Sequence, residues 1–373
     1  MADPVRVLTI LGTRPEAVKL APVVMQLKES QFFQPFVCIT AQHREMLDQV
    51  LELFEIKPDF DLNLMTPDQS LAELTASVFQ ELDRVVEQVQ PDWVLVQGDT
   101  TTVMAASLLA YYHQVRVGHV EAGLRTGDKW QPFPEEINRR VAGVVADLHF
   151  APTDQARDNL LAEGVRAETI HVTGNPVIDA LEMMAERIDA DGTMPFDWVK
   201  QEARLVVLTA HRRENFGAPL ESIFNAIVQL ADRYGEQIQF VYPVHLNPNV
   251  QDPAHRLLAD YPNIILTEPL AYLPMVQLMR QAYLILTDSG GIQEEAPGLG
   301  VPVLVLREKT ERPEALEAGT ARLIGTNTDR IVAEVSRLMQ DPDAYRSMAQ
   351  AINPFGDGRA AERIVSALID ASD

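Results

Sequence analysis

The sequence contains very little cysteine and is short of positive charge. Its 373 residues include a single cysteine, Cys38, so no disulfide within the chain can stabilise the fold. That cysteine lies in an apolar run and is expected in the core. Lysine and arginine number 31 against 54 aspartates and glutamates, which gives a net charge of −23. A surface this acidic repels phosphate backbones and argues against a nucleic-acid partner. It still allows one bound nucleotide, which needs only local donors.

Several segments and motifs are also missing. No apolar run approaches the roughly 18 residues of a membrane span. No signal peptide precedes the first strand pattern, so we expect a cytoplasmic protein without membrane contact. There is no P-loop for ATP and neither a His-Glu-x-x-His nor a Cys-x-x-Cys pair for zinc. A loose dinucleotide fingerprint at 356–361 has no strand before it. We therefore predict neither NAD nor a metal as cofactor.

Short apolar runs alternate with longer amphipathic stretches along the chain. Strands of parallel sheets are buried on both faces and therefore appear as short, continuous, β-branched runs. The first half has such runs at 5–11, 36–40, 93–96, 115–120, 148–151 and 169–173. The second half has them at 205–209, 239–243, 264–266, 283–287, 303–306 and 321–324. The alternation predicts an α/β protein with doubly wound parallel sheets.

A break in this pattern divides the chain. Residues 179–203 are charged and contain no strand pattern, which predicts a helix followed by a connector. We therefore expect two Rossmann-like domains facing a cleft, the first over 1–178 and the second, which binds the nucleotide, over 200–355. A final helix is predicted near 359–371, and residues 356–373 are expected to pack back on the first domain.

A Gly-Gly turn follows one of the predicted strands. The run at 288–295 is Asp-Ser-Gly-Gly-Ile-Gln-Glu-Glu, and it comes directly after the apolar run at 283–287. Gly290 and Gly291 have no side chain to keep a ligand away, and the N-terminus of the helix predicted there favours an anion. The pattern is typical of a nucleotide-diphosphate site. It fits a tight turn with acidic residues at the helix start as well, and the segment alone leaves both interpretations open.

Acidic residues follow strands in the first half, where open α/β sheets bind ligands. Asp99 suits either acid–base chemistry or the N-cap of the next helix. Glu121 comes at the end of a buried strand and needs either a chemical role or a partner such as Arg125. Glu135 lies at a predicted helix start, which also suits the helix dipole.

Basic residues follow strands in both halves. Arginine and histidine side chains suit phosphate groups, although a single histidine is more often structural. The candidates are Arg14, Lys19, His211, Arg212, His245 and Arg312. Acidic residues in one domain and a basic phosphate site in the other suggest acid–base chemistry on a nucleotide-bound substrate.

Eight motifs follow one another along the chain. In one-letter code they are GTRPE at 12–16, AQHR at 41–44, GDTT at 98–101, GHVEAGLR at 118–125, PEE at 134–136, HRRE at 211–214, PVHLNP at 243–248 and DSGGIQEE at 288–295. With these motifs the chain resembles the bacterial non-hydrolysing UDP-N-acetylglucosamine 2-epimerases from about residue 5 to residue 368.

The resemblance implies a glycosyltransferase-B-like fold, a homodimer, and interconversion of UDP-N-acetylglucosamine (UDP-GlcNAc) with UDP-N-acetylmannosamine (UDP-ManNAc). The C2 hydrogen of the sugar has no adjacent carbonyl, so direct deprotonation gives no stabilised carbanion. We expect UDP to leave across C1–C2, forming a glycal, and to add back with the opposite C2 configuration. That reaction needs proton carriers for both faces of C2 and charge stabilisation for UDP.

Motif positions carry the family's roles onto this chain. The resemblance assigns catalytic roles to Asp99, Glu121, Glu135 and His211, without deciding which carboxylate serves which face of C2. The residues that it assigns to substrate and UDP binding are Arg14, Lys19, His211, Met275, Ser289, Gly290, Gly291, Glu295 and Arg312. Leu270 and Met275 stand where family members often have Gln and Phe near the uracil, which leaves base recognition open.

Bacterial members of the family also have a second UDP-GlcNAc site that activates the enzyme. The positions that match it here are Gln42, His43, Gln69, Arg212 and His245, and we expect such regulation. Three alternative functions remain from the residues: a hydrolysing epimerase that releases ManNAc and UDP, a glycosyltransferase of the same fold, and a non-catalytic nucleotide-sugar sensor.

Overall fold

The computed structural model describes residues 3–40, 44–66, 69–191, 196–200 and 202–372. Its contacts divide the chain into two compact units. The first comprises Met1–Glu182 together with Phe355–Asp373, and the second comprises Met183–Pro354. The second unit is therefore an insertion within the first.

The described residues of the first unit form a parallel sheet. Its strands are β1 (Val5–Leu11), β2 (Phe33–Ile39), β3 (Phe60–Asp61), β4 (Trp93–Gln97), β5 (Arg116–Val120), β6 (Leu148–Ala151) and β7 (Ile170–Val172). They are ordered β3-β2-β1-β4-β5-β6-β7. The helices are α1 (Arg14–Glu29), α2 (Arg44–Leu53), α3 (Leu71–Val89), α4 (Thr101–Tyr112), α5 (Glu135–Val145), α6 (Asp154–Ala162) and α7 (Pro176–Asp191), which continues into the second unit.

The second unit has a parallel sheet of its own. Its strands are β8 (Arg204–Thr209), β9 (Ile238–Pro243), β10 (Ile264–Thr267), β11 (Leu284–Thr287), β12 (Val303–Val305) and β13 (Ala321–Leu323), in the order β10-β9-β8-β11-β12-β13. Its helices are α8 (Ala218–Tyr234), α9 (Pro248–Leu258), α10 (Tyr272–Gln281), α11 (Gly290–Gly298), α12 (Pro313–Glu317), α13 (Thr328–Gln340) and α14 (Pro342–Ala349). The last helix of the chain, α15 (Ala360–Asp370), packs against α1 of the first unit.

The strand interiors are buried as their apolar sequences predict. Every residue of β4 is buried, and so are the last five residues of β1. Cys38 lies in β2 and is fully buried, which confirms its predicted place in the core. Strands covered on both faces are characteristic of doubly wound α/β sheets, so the predicted fold class is confirmed.

Two strand predictions need correction. The second strand begins at Phe33 rather than at residue 36, and it includes Pro35, which pairs with Val7. Because proline usually interrupts strands, the sequence predicted that β2 begins only after Pro35. β3 was missed altogether because two residues, Phe60–Asp61, give no readable alternation.

Strand order defines the point where each sheet binds ligands. The order reverses between β1 and β4 in the first sheet and between β8 and β11 in the second. In doubly wound folds, ligands bind beyond the carboxyl ends of strands at this switch point. Ligands are therefore expected at the loops after these four strands.

Among the described residues, no helix is long and apolar enough to cross a membrane.

Candidate active site

Glu121 follows β5 at the carboxyl edge of the first sheet. It is buried, and its backbone is left-handed with φ +63°. A left-handed residue other than glycine costs roughly 1–3 kcal/mol and persists only when its surroundings fix it. Its Oε1 contacts Lys19 Nζ at 2.5 Å and accepts from Asn175 Nδ2 at 3.0 Å, and its Oε2 accepts from Gln97 Nε2. The carboxylate is thus held by α1, by β4 and by the residue just before α7.

The pairing of Glu121 with Arg125 that was considered from the sequence is wrong. Arg125 instead donates from Nε and Nη2 to Glu163, at 2.9 and 2.7 Å. Lys19 is the cation that faces Glu121, and it is itself buried. Lys19 was expected to reach an anion beside Arg14. Arg14 is half-buried and is the first residue of α1.

Asp99 follows β4 and is held by α5. Its carboxylate accepts from the buried Arg139, and its carbonyl oxygen accepts from Asn138 Nδ2 at 2.9 Å. It is not the N-cap of α4, because that position belongs to Thr100, whose Oγ1 accepts from Val103 N at 3.3 Å. The capping interpretation of Asp99 is therefore wrong, and an ion pair takes its place.

Glu135 is the first residue of α5 and is half-buried. Its neighbour Glu136 is fully buried and accepts from the backbone N–H groups of Thr126, at 3.1 Å, and Gly127, at 3.3 Å. Glu136 therefore fixes the loop before α5. The contacts of Asp99 with α5 place it beside the helix that begins at Glu135.

Glu16 is a buried carboxyl group and is not among the site residues predicted from the sequence. Its Oε2 accepts from the N–H groups of Gly12 and Thr13, the latter at 2.7 Å, and Thr100 Oγ1 lies 2.6 Å from its Oε1. Burial raises the pKa of Glu16 to about 7, although these hydrogen bonds lower it and Asp99 raises it further. The signal in the sequence was the spacing of Thr13 and Glu16, which is that of a helix capping box. Glu16 ties the loop after β1 to the loop after β4.

The Gly-Gly turn of the second unit lies close to two guanidinium groups. β11 ends at Thr287 and α11 begins at Gly290, as the sequence predicted. A Cβ added to Gly290 would lie 3.6 Å from Arg212 Nη2 and 3.9 Å from Arg312 Nη2. The helix start, with its free N–H groups and two cations beside it, is suited to a diphosphate.

Arg312 is oriented by its neighbours. Its Nε donates to Glu294, which is fully buried in α11, and its backbone N–H donates to Thr310 Oγ1 at 3.1 Å. Glu295, the next residue of α11, faces Gly291, since a Cβ there would lie 3.3 Å from Glu295 Oε1.

His211 follows β8 and lies against Asp288. His211 Nδ1 lies 3.5 Å from Asp288 Oδ1, and Asp288 is fully buried. The imidazole of His245 stacks on that of His211, with centroids 5.4 Å apart and planes 9° apart. Partial burial lowers the pKa of His211, and His245 and Arg212 lower it too, whereas Asp288 raises it.

The other predicted site residues lie in different parts of the two units. Ser289 donates its backbone N–H to Thr287 Oγ1 at 2.9 Å, directly before the Gly-Gly turn. Leu270 and Met275 are half-buried, before and in the first turn of α10. Gln69 lies in the first unit, where its Oε1 accepts from the backbone of Thr66 at 3.4 Å. Arg212 and His245 lie in the second unit, and Gln42 and His43 fall outside the described residues.

Comparison with known proteins assigns the family. A family model described as UDP-N-acetylglucosamine 2-epimerase matches residues 25–369. The protein of that name from Escherichia coli K12 is 52% identical over 369 residues, which cover 97% of this chain and 98% of the relative. The chain belongs to the UDP-N-acetylglucosamine 2-epimerase family. It is accordingly an epimerase, one of the isomerases.

Other members of the UDP-N-acetylglucosamine 2-epimerase family are similar to this chain over nearly their whole length. The Bacillus subtilis 168 protein is 52% identical over 364 residues, covering 98% of this chain and 95% of its own. The crystal structure of the Neisseria meningitidis family member, bound to UDP-GlcNAc, matches with a TM-score of 0.93 and 49% identity over 98% of this chain and 100% of that one. The expected glycosyltransferase-B-like fold, with its two Rossmann-like domains, is thereby confirmed.

The raised pKa of Glu16 makes stability depend on pH. The folded chain holds the Glu16 proton more tightly than the unfolded chain, whose ordinary pKa is 4.5. This contribution is complete below pH 4.5 and is lost as the pH rises through about 7, by at most about 3 kcal/mol. The variant Glu16→Gln should lack this pH dependence of thermal unfolding. As the pH rises from 5 to 8, the wild type should therefore lose stability relative to the variant.

Glu29→Gln is the matched control, since Glu29 is exposed on the same helix. It should unfold with the same pH dependence as the wild type. A difference between wild type and Glu16→Gln that stays constant from pH 5 to pH 8 would contradict a titrating Glu16.

Proposed function

We propose that the chain interconverts UDP-GlcNAc and UDP-ManNAc by inversion at C2, without net hydrolysis. The observation that carries the proposal is the carboxylate of Glu121, which is buried in a left-handed conformation at the carboxyl edge of the first sheet. Strained, buried, ionisable side chains at this edge are typical of catalytic groups. The UDP-GlcNAc bound by the Neisseria relative supports the choice of substrate.

The first unit supplies the proton carriers. One carboxylate takes the C2 proton while the C1–O bond to UDP breaks, which leaves a glycal with a C1–C2 double bond. UDP then adds back to C1 as a proton is delivered to the opposite face of C2. We assign these transfers to Asp99, Glu121 and Glu135. Lys19 Nζ lies 2.5 Å from Glu121 Oε1 and fixes the position of this carboxyl group.

The second unit stabilises the departing UDP. The leaving diphosphate gains negative charge, and the N-terminus of α11 at Gly290 offers backbone donors to it. The guanidinium groups of Arg212 and Arg312 lie close to Gly290, and we propose that His211 adds a third basic side chain. Elimination and readdition of UDP include no hydride transfer, so we propose that the reaction needs no nicotinamide, and we propose no metal either. Among the described residues, no cluster of three or more His, Cys, Asp or Glu side chains is placed to hold a metal ion.

Incubation with UDP-GlcNAc in D₂O, followed by NMR, tests the reaction. We expect UDP-ManNAc to form and deuterium to enter C2 of both sugars, because the proton is exchanged with solvent in the glycal state. Glu121→Gln should lower kcat by roughly 10²–10⁴-fold, the usual contribution of an acid–base group. Its affinity for UDP should change less than twofold. Glu163→Gln serves as the control, because it removes a carboxylate of the same unit that pairs with Arg125.

Each alternative has its own result in this experiment. Free ManNAc with UDP would indicate a hydrolysing epimerase. Product without deuterium at C2 would indicate simple transfer to another acceptor. Full activity in Asp99→Asn, Glu121→Gln and Glu135→Gln would refute the roles proposed for these residues.

Substitution of Gly290 tests the diphosphate site. In Gly290→Ala the new methyl group lies where the phosphate oxygens approach, at ordinary contact distance from Arg212. UDP binding, measured by titration calorimetry, should weaken about tenfold, or roughly 1.4 kcal/mol. Stability should stay constant or rise slightly, since alanine favours helices.

Gly143→Ala is the matched control for this variant. Gly143 is also helical, and its added Cβ would meet Arg125 Nη2 at 3.5 Å, in the first unit. UDP affinity should be unaffected there. Equal losses of affinity in both variants would show that Gly290 has no special place in binding.

A second UDP-GlcNAc that activates the enzyme is also part of the proposal. Arg212 and His245 support it, since both lie beside His211 at the carboxyl edge of the second sheet. Initial rates with UDP-ManNAc alone should be sigmoidal and should become hyperbolic with a trace of UDP-GlcNAc. Gln69→Ala should weaken this activation and keep kcat. Hyperbolic rates without UDP-GlcNAc would refute it. The homodimer and the cytoplasmic location stay predictions.

A further inference from the structure

One oxygen of Asp288 organises the loop after β8. Asp288 is fully buried directly after β11. Its Oδ2 accepts from the backbone N–H groups of His211, at 2.9 Å, and Arg212, at 2.8 Å, and from Asn215 Nδ2, at 3.0 Å. Three donors on one oxygen fix the plane of the carboxylate and require that this oxygen carry no proton.

The other oxygen of Asp288 is aimed at the imidazole of His211. Within the part of the chain that the structure describes, Oδ1 is buried and has no hydrogen-bond partner. His211 Nδ1 lies 3.5 Å away, just beyond a normal hydrogen bond. An unpartnered buried oxygen costs roughly 1–3 kcal/mol, which favours closure of this gap. His211 is 39% exposed and Asp288 is not, so the imidazole is the group that moves.

The structure assigns Asp288 as a positioning residue for His211: Oδ1 takes the Nδ1 hydrogen, and Nε2 is left to face the substrate. His245 stacks on the ring and limits its rotation. Catalytic hydrogen bonds are often long without substrate and tighten when it binds. The inference rests on the proposed function only in that His211 serves the leaving UDP.

The consequence for the charge of His211 follows from its neighbours. Burial opposes protonation of the imidazole most strongly and lowers the pKa of His211, and His245 and Arg212 lower that pKa as well. Asp288 favours protonation. A protonated ring held by Asp288 donates Nε2–H to a diphosphate oxygen as the C1–O bond breaks. Without the charge of Asp288 the ring stays neutral to lower pH.

Asp288→Asn tests this role with almost no change of shape. The amide oxygen takes the place of Oδ2 as the acceptor for the loop, and the NH₂ group then faces Nδ1 and forces the opposite tautomer. We expect kcat to fall by roughly 10²–10⁴-fold, as an Asp-to-Asn change behind a catalytic histidine does elsewhere. KM for UDP-GlcNAc should change less than threefold, and the limb of the pH profile that reports His211 should move to lower pH.

The tautomer itself is read by NMR with ¹⁵N-labelled histidine, His211→Gln providing the assignment. At a pH where the free ring is neutral, wild type should show the Nδ1–H form and Asp288→Asn the Nε2–H form. An Nε2–H tautomer in the wild type would overturn the inference even if the variant does not fold. A tautomer switch with unchanged kcat would overturn the role of the pair in catalysis and, with it, the part proposed for His211.

Asp179→Asn is the matched control. Asp179 is also a buried carboxylate that accepts backbone N–H groups, from Ala360 at 3.1 Å and Ala361 at 2.8 Å, but among the described residues no histidine is hydrogen-bonded to it or paired with it. Its loss should affect stability and leave the tautomer of His211 and its pH limb in place. If both variants lower kcat equally without moving the tautomer, Asp288 is only structural and the inference fails.

Discussion

The buried ion pair between Lys19 and Glu121 is the contact on which the carboxyl edge of the first sheet depends. A buried pair gains little by itself, because both charges lose their water. Gln97 and Asn175 donate two further hydrogen bonds to the carboxylate, which offset part of this cost. Asn175 in turn donates its backbone N–H to Phe355 at 2.7 Å. One carboxylate thus connects α1, β4, β5 and the chain that returns from the second unit.

Both switch-point loops are organised by a carboxylate that accepts backbone N–H groups. In the first unit Glu16 accepts from Gly12 and Thr13, and it comes from the helix that follows. In the second unit Asp288 accepts from His211 and Arg212, and it comes from the neighbouring strand. The carboxylate comes from a different place in the chain in each unit, but its role is the same. It accepts the backbone N–H groups of a loop whose side chains are then available to a ligand.

The sequence predicted the fold better than the contacts of the site. Apolar runs locate most strands because burial on both faces is a local property of the chain. The partners of Glu121 and Asp99 were not predictable in this way. Lys19 and Glu121 are 102 residues apart, so no local pattern links them. Glu16 was overlooked for the same reason, since its capping spacing is visible but its depth of burial is set by strands on either side.

The insertion of the second unit has a consequence for synthesis of the chain. Met183–Pro354 is contiguous, and Phe355–Asp373, which belongs to the first unit, is synthesised after it. The first unit must wait for α15 and for Ser372, whose Oγ accepts from Trp93 Nε1 at 2.9 Å. The N-terminal unit therefore lacks part of its own structure until the second unit has been synthesised, so we expect the usual order of domain folding to be inverted. The support of Glu121 through Asn175 and Phe355 is among the last parts of the molecule to form.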